Sequence, residues 1–228
     1  MGEIRRRLLV ATRSGHKLRE IREILGDLSG LYVMDLDEAG IAESPEEDAL
    51  EEAETFSENA LAKARYFAER SGIETIADDS GLAVDALGGR PGVRSRRFAP
   101  APEDMDRDRQ DRLNVQHLLA CLEGVPPEKR TARFVTEVAL VRPDGPSRTF
   151  RGEVEGVILD GPRGEGGFGY DPVFLYPPLG RTFAEIPSVE KARIGHRGLA
   201  IRRLADFLAQ PRTAEQRAEQ AEESDQRP

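Results

Sequence analysis

Ile76-Ala77-Asp78-Asp79-Ser80-Gly81-Leu82-Ala83-Val84-Asp85 sets two adjacent carboxylates and a hydroxyl directly after a short apolar pair. Glu74 to Ala77 reads as a buried strand, and the following Asp-Asp-Ser-Gly reads as the turn that ends it. Adjacent side chains on a strand point to opposite faces, but at a strand end both can reach one cleft. Paired carboxylates there suit a hard cation such as Mg²⁺, which takes oxygen ligands and is commonly shared with a phosphate-bearing molecule. The same string is also a good turn and helix cap, so its meaning depends on the rest of the chain.

Strands and helices alternate on either side of it. Arg7 to Ala11 reads as the first strand and Thr12 to Lys17 as a loop. Leu18, Ile21, Ile24, Leu25 and Leu28 then keep helical spacing. Tyr32 to Leu36 gives a second strand. Thr55 is a plausible N-cap with Glu58 three residues on, opening a helix that runs to Ser71-Gly72. Ala99 to Asp108 reads as exposed linker, followed by a helix from about Arg109 to Leu122. Ala132 to Arg142 and Arg148 to Leu159, joined by Pro143-Asp144-Gly145-Pro146, predict a hairpin. A last helix runs from His196 to Leu208. From Pro211 the chain is Glu, Gln, Arg and Ala with little to bury, which predicts a disordered or frayed tail over 211–228. The pattern is that of an α/β fold with a partly mixed sheet.

Composition narrows the function. The chain of 228 residues has a net charge of −9 and no tryptophan, which argues against a nucleic-acid polymer or an anionic membrane as partner. No Lys or Arg occurs between Arg22 and Lys63, while Asp35 to Glu58 holds eleven carboxylates. That stretch is either a solvated acidic face or the source of a metal ligand. Cys121 is the only cysteine, so no internal disulfide and no cysteine-based zinc site can form. A cytoplasmic protein is expected.

Four segments carry the residue types of one triphosphate site. Thr12-Arg13-Ser14-Gly15-His16-Lys17 is a strand-to-helix loop offering backbone N–H groups, without P-loop spacing. Thr55 to Ala64 carries Glu58 and Lys63. The third segment is Asp78-Asp79-Ser80. The fourth is Gly166-Gly167-Phe168-Gly169-Tyr170-Asp171-Pro172, where an aromatic can stack on a base and Asp171 can accept from ring N–H groups. Each also has an ordinary structural reading: a capped loop, a surface lysine, a turn, a core phenylalanine. Lys191 and Gly195-His196-Arg197 complete the set. Two cations at a helix start call for an anion or an acidic partner.

Taken together, these blocks resemble the inosine/xanthosine triphosphate pyrophosphatases. The matching stretches are Ala11 to Lys17, Thr55 to Ala64, Ala77 to Leu87, Pro91 to Val93, Gly166 to Pro172 and Gly195 to Arg197, in that order. The resemblance implies one domain over 1–210: an elongated, two-lobed mixed sheet flanked by helices, with the nucleotide cleft between the lobes. It implies a homodimer and Mg²⁺-dependent hydrolysis of dITP, ITP and XTP to the monophosphate and pyrophosphate. Asp79 would be the base, with Asp78, Asp79 and an upstream glutamate at the metal. Among Glu47, Glu51, Glu52 and Glu54, counting four back from Thr55 selects Glu51. Thr12, Arg13, Ser14, Gly15, His16, Lys17, Lys63 and Ser80 would contact phosphates and sugar. Phe168, Gly169, Tyr170, Asp171, Lys191, His196 and Arg197 would enclose the purine. Arg13-Ser14 stands where the family usually has Gly-Asn, His16 where Gly is common, and Gly195 where Ser is usual. These departures keep two alternatives in view, a related pyrophosphatase with another base preference and a nucleotide sensor that does not hydrolyse.

Overall fold

The computed structural model describes residues 6–26, 28–102, 105–143 and 145–210. The charged tail expected from 211 onward lies outside the described residues. Seven strands form one open mixed sheet in the order β2-β1-β3-β4-β5-β6-β7. They are β1 (Arg6–Val10), β2 (Leu31–Met34), β3 (Thr75–Val84), β4 (Thr131–Val141), β5 (Arg148–Ile158), β6 (Phe174–Tyr176) and β7 (Arg181–Thr182). β1 runs parallel to both β2 and β3, and every later pairing is antiparallel. The helices are α1 (Gly15–Leu25), α2 (Phe56–Ser71), α3 (Arg107–Cys121), α4 (Ser188–Ile194) and α5 (His196–Ala209). No described helix is long and apolar enough to cross a membrane.

β3 is where the sequence expectation fails in an instructive way. The strand does not end at Ala77. It continues through Val84, paired residue by residue with β4, and carries Asp78, Asp79, Ser80 and Gly81 inside it. Gly81 is therefore not a turn residue. A Cβ there would come within 2.4 Å of the Gly92 carbonyl oxygen and 2.5 Å of Ser95 Oγ, so the glycine admits the 92–97 segment against the strand.

Strand alternation sorts β3 between two layers. Ile76 points into a core with Leu8, Val10, Ile21, Leu25, Val138, Leu140, Ile201 and Leu204, under α1 and α5. Ala77 points the other way, into Leu9, Ala60, Ala64, Phe67 and Ala139, under α2. Farther along, Leu82 and Val84 join a third cluster with Leu118, Phe134, Phe174 and Phe183. The linker expected over Ala99 to Asp108 is shorter than that: Ala99 is buried, and α3 begins at Arg107 with Asp106 as its cap.

α5 sits directly on β5. A Cβ on Gly152 would lie 1.9 Å from the His196 carbonyl oxygen and 2.7 Å from the Ala200 nitrogen. Only a residue without a side chain lets the helix start this close to the sheet. Gly152→Ala is expected to lower stability by about 1–3 kcal/mol, as overpacking does. Urea denaturation measures it, and an unchanged midpoint would contradict this packing.

Candidate active site

The acidic pair on β3 is divided by the sheet. Asp78 shares the α1/α5 face with Ile76, and its Oδ2 meets Lys17 Nζ at 2.9 Å and Arg197 Nε at 3.2 Å. Ser80, two residues on and on the same face, donates its hydroxyl to that oxygen at 2.8 Å and accepts from Thr136 Oγ1 at 2.9 Å. Arg197 also reaches Ser80 Oγ at 3.3 Å and Glu20 Oε2 at 2.5 Å. Burial resists ionisation of Asp78, but Lys17, Arg197 and Lys63 override it and hold the carboxyl far below the usual carboxylate range. Its second oxygen, Oδ1, is buried with no hydrogen-bond partner.

Asp79 faces α2. Its Oδ2 accepts from Asn59 Nδ2 at 2.9 Å and its Oδ1 from the Ser80 N–H at 3.0 Å. Lys63 Nζ is 4.0 Å from Asp79 Oδ1, 2.7 Å from Glu51 Oε1 and 2.6 Å from the Asp78 carbonyl. Burial raises the Asp79 pKa, and the lysines and Asn59 offset it only in part. Glu51 is held low because Lys63 outweighs its burial. The two neighbouring aspartates thus have opposite environments: one is locked as an anion, the other has a heightened affinity for a proton.

Glu51 and Asp79 converge on one cationic position with a backbone carbonyl beside it, an all-oxygen donor set of the kind a hard divalent ion takes. The Asp78 carboxylate lies on the other face and is not part of that convergence. Among the described residues no three His, Cys, Asp or Glu side chains lie close enough to hold a metal by themselves, so an ion there would need oxygens from a ligand.

The glycine-rich segment folds back on itself beside this cluster. Asp171 Oδ2 accepts from the Phe168 N–H at 2.8 Å and from Lys191 Nζ at 2.5 Å. Lys191 Nζ lies 4.9 Å from the Phe168 ring centroid and Arg197 Cζ 5.7 Å from it. Asp111 on α3 accepts the Gly169 N–H at 2.9 Å and so anchors the loop. Tyr170 belongs to the core instead of to the cleft: it is 4% exposed and donates its hydroxyl to the Ser95 carbonyl at 2.8 Å. His196 stacks on Phe134 at 4.8 Å, and burial together with Arg197 and Lys191 keeps its imidazole neutral. Its Nδ1 is buried without a partner. The two basic residues at the start of α5 are therefore explained from within: His196 carries no charge, and Arg197 has Asp78 and Glu20.

The first loop is built mostly from side-chain contacts. Ser14 caps α1, Arg13 pairs with Glu47 at 2.7 Å, and the His16 ring stacks on Phe168 with centroids 5.6 Å apart. Thr12 Oγ1 accepts the Ser14 N–H at 3.2 Å, and Gly15 is exposed at the start of α1. A cavity of about 380 Å³ opens farther along the α2 side of the sheet, lined by Phe56, Ala83, Val93, Val135 and Glu137 among others. None of the residues expected at the site lines it. Lys17, Lys63 and Arg197 approach Asp78 and Asp79, while Lys191 and Arg197 approach the glycine loop at Asp171 and Phe168.

Residues 8–207 match the model of the Ham1 family. The chain belongs to that family. It is 48% identical to a dITP/XTP pyrophosphatase of Frankia alni, covering 91% of this chain and all of the relative. A Thermus thermophilus protein of the same name is 46% identical, over 88% and 90%. Among solved structures, a HAM1 protein from Coxiella burnetii matches with a TM-score of 0.77 and 36% identity, over 89% of this chain and 98% of that one. A nucleoside-triphosphatase from Mycobacterium abscessus, titled dITP/XTP pyrophosphatase, gives 0.67 and 39% over 90% and 100%. The open mixed sheet of this chain is thus the fold of its Ham1 relatives.

The acidic pair generates a stability prediction. Because the Asp78 pKa is depressed on folding, its contribution is complete above the unfolded value of about 3.9 and is lost as pH falls toward the folded one. Asp79, with its raised value, instead costs stability once pH exceeds the unfolded value. Asp78→Asn is expected to lose about 3–5 kcal/mol at pH 7, since it leaves Lys17 and Arg197 without their shared carboxylate. Asp79→Asn has one acceptor oxygen for two donors but removes a buried charge, so it is expected to lose far less stability than Asp78→Asn. Denaturant titration at pH 7 of both variants checks this; equal effects would contradict the division by the sheet.

Proposed function

We propose that this chain hydrolyses deaminated purine nucleoside triphosphates, dITP, ITP and XTP, to the monophosphate and pyrophosphate. The observation that carries the reading is the meeting of Lys17, Lys63 and Arg197, from three helices, around the acidic pair of a single strand. Cations at that density suit a polyphosphate, and the relatives that match nearly the whole chain are named for this activity.

On this reading Lys17 and Lys63 neutralise the phosphate oxygens, and the loop Thr12 to Lys17 supplies N–H groups at the start of α1. Asp79 is the base. Its burial raises its proton affinity toward what is needed to accept a proton from an attacking water. Asn59 and the Ser80 N–H hold that carboxylate in one orientation. Glu51 and Asp79 would hold Mg²⁺, which would polarise water and offset charge on the phosphates. Asp78 takes a different part: it fixes Lys17 and Arg197.

Phe168, Lys191, His196 and Arg197 form the base end, where Lys191 and Arg197 lie over the Phe168 ring and a neutral His196 keeps an unpartnered nitrogen. A 6-oxo purine presents a carbonyl acceptor and a ring N–H. Adenine presents an amine and a bare acceptor, which leaves buried donors unpaired at about 1–3 kcal/mol each. The domain is read as two lobes over 1–210 with this cleft between them, in a cytoplasmic homodimer.

Pyrophosphate release from dITP, XTP, dGTP, dATP and dUTP with Mg²⁺ tests the reading. The expected outcome is turnover of dITP and XTP about 10–100-fold above dATP, abolished in Asp79→Asn while the fold persists. A preference for dUTP, or an Asp79→Asn variant as fast as the parent, would overturn it.

A further inference from the structure

The segment carrying Glu51 is a seven-residue 3₁₀ helix, Pro45–Glu51, with no fully buried side chain. Leu50 packs only partly against the α2-side core. A short helix without a buried face is held mainly by its polar contacts, and at its C-terminal end Glu51 accepts from Lys63 Nζ of α2 at 2.7 Å. On one side Glu46 accepts from Tyr66 Oη of α2 at 3.0 Å and pairs with Arg70. On the other, Arg13 of the first loop grips Glu47 with two parallel bonds, Nη2 to Oε1 at 2.7 Å and Nε to Oε2 at 3.1 Å. The third arm of the Arg13 fork donates to the Ile41 carbonyl at 3.1 Å, just before the helix. Glu47 Oε1 also accepts the Ser44 N–H at 3.1 Å, which locks the glutamate to the first turn of its own helix.

All three guanidinium nitrogens of Arg13 are thus engaged by the 41–47 segment. We propose that Arg13 and Glu47 form a clasp that positions Glu51, tying the phosphate loop to the helix bearing the metal-site carboxylate. Glu51 lies four residues after Glu47, and Lys17 lies four after Arg13. The pair joins segments 34 residues apart in sequence and sets the spacing between the two groups that must close on one ligand. Arginine suits this work because its planar fork fixes orientation as well as distance. Arg13 and Glu47 touch no reacting atom; they act as positioning residues.

The inference rests on the proposed function for its catalytic consequence but not for the contact itself, so two readouts separate them. Amide exchange of residues 45–52, measured without nucleotide or metal, is expected to speed up about 2–5-fold in Arg13→Ala and in Glu47→Gln. Glutamine retains the cap to Ser44 while removing the charge. In the hydrolysis assay, the Mg²⁺ concentration giving half-maximal rate is expected to rise about 2–5-fold in each single variant. The double variant should be no worse than either, and Arg13→Lys, which keeps the charge but loses the fork, should fall between Arg13→Ala and the parent. Unchanged exchange in both single variants, or additive effects on the Mg²⁺ requirement, would overturn the clasp. A parent that hydrolyses none of the nucleotides would instead overturn the function reading, with the exchange result still deciding whether the clasp exists.

Discussion

A carboxylate inside a sheet must be met by cations on whichever face it points to, and β3 buries two of them in succession. Alternation sends Asp78 toward α1 and α5 and Asp79 toward α2, so their closest side-chain partners differ, although both carboxyls feel Lys17 and Lys63. Lys17 and Arg197 answer the first, Asn59 and Lys63 the second. Three helices are thereby tied to one strand by the same contacts that assemble the site. Fold and active site are not separable here: removing Asp78 leaves Lys17 of α1 and Arg197 of α5 without their shared carboxylate.

On the proposed function, the two aspartates divide the work that the resemblance gives them jointly. Asp78, flanked by cations, is an anion at any ordinary pH and serves as an electrostatic keystone. Asp79 pays for its burial with a raised proton affinity, and that same cost is what a base for water requires. Buried groups that lower stability while serving chemistry are the common pattern at sites where the two demands conflict. On the proposed function, the approach of Glu51 and Asp79 to Lys63 Nζ supports a metal position on the α2 face, with the Asp78 carboxylate outside it.

Much of this was readable from local pattern. β1, the β4–β5 hairpin, the Thr55 cap and the span of α5 follow from apolar spacing and turn residues, and they stand within one or two residues of where the pattern puts them. The extension of β3 was not readable. Asp-Asp-Ser-Gly carries every local mark of a turn, and only cations arriving from residues as distant as Arg197 make it tolerable as buried strand. Glu20, Asn59 and Asp111 were missed for the same reason. Each is unremarkable in its own helix and acquires meaning from a partner far along the chain, 177 residues away for Glu20 and 58 for Asp111. Tyr170 errs in the other direction: it sits inside a motif of site residues, yet its ring belongs to the core and its hydroxyl to the Ser95 carbonyl.

The unusual first loop follows the same logic on a smaller scale. A glycine-containing loop reaches its ligand-binding shape by backbone freedom and loses that freedom on ordering. Arg13 and His16, at positions where the family resemblance implies glycine, restrict the backbone of the unfolded chain and then supply contacts that hold the folded one. Arg13 grips Glu47, His16 lies over Phe168, and Ser14 caps the helix that presents Lys17. Through these three side chains the loop touches the helix bearing Glu51 on one side and the glycine-rich segment on the other. A loop braced at both flanks needs less reordering when a ligand arrives, so on the proposed function Arg13, Ser14 and His16 act as preorganisation, with Lys17 held on Asp78 at the end of the loop.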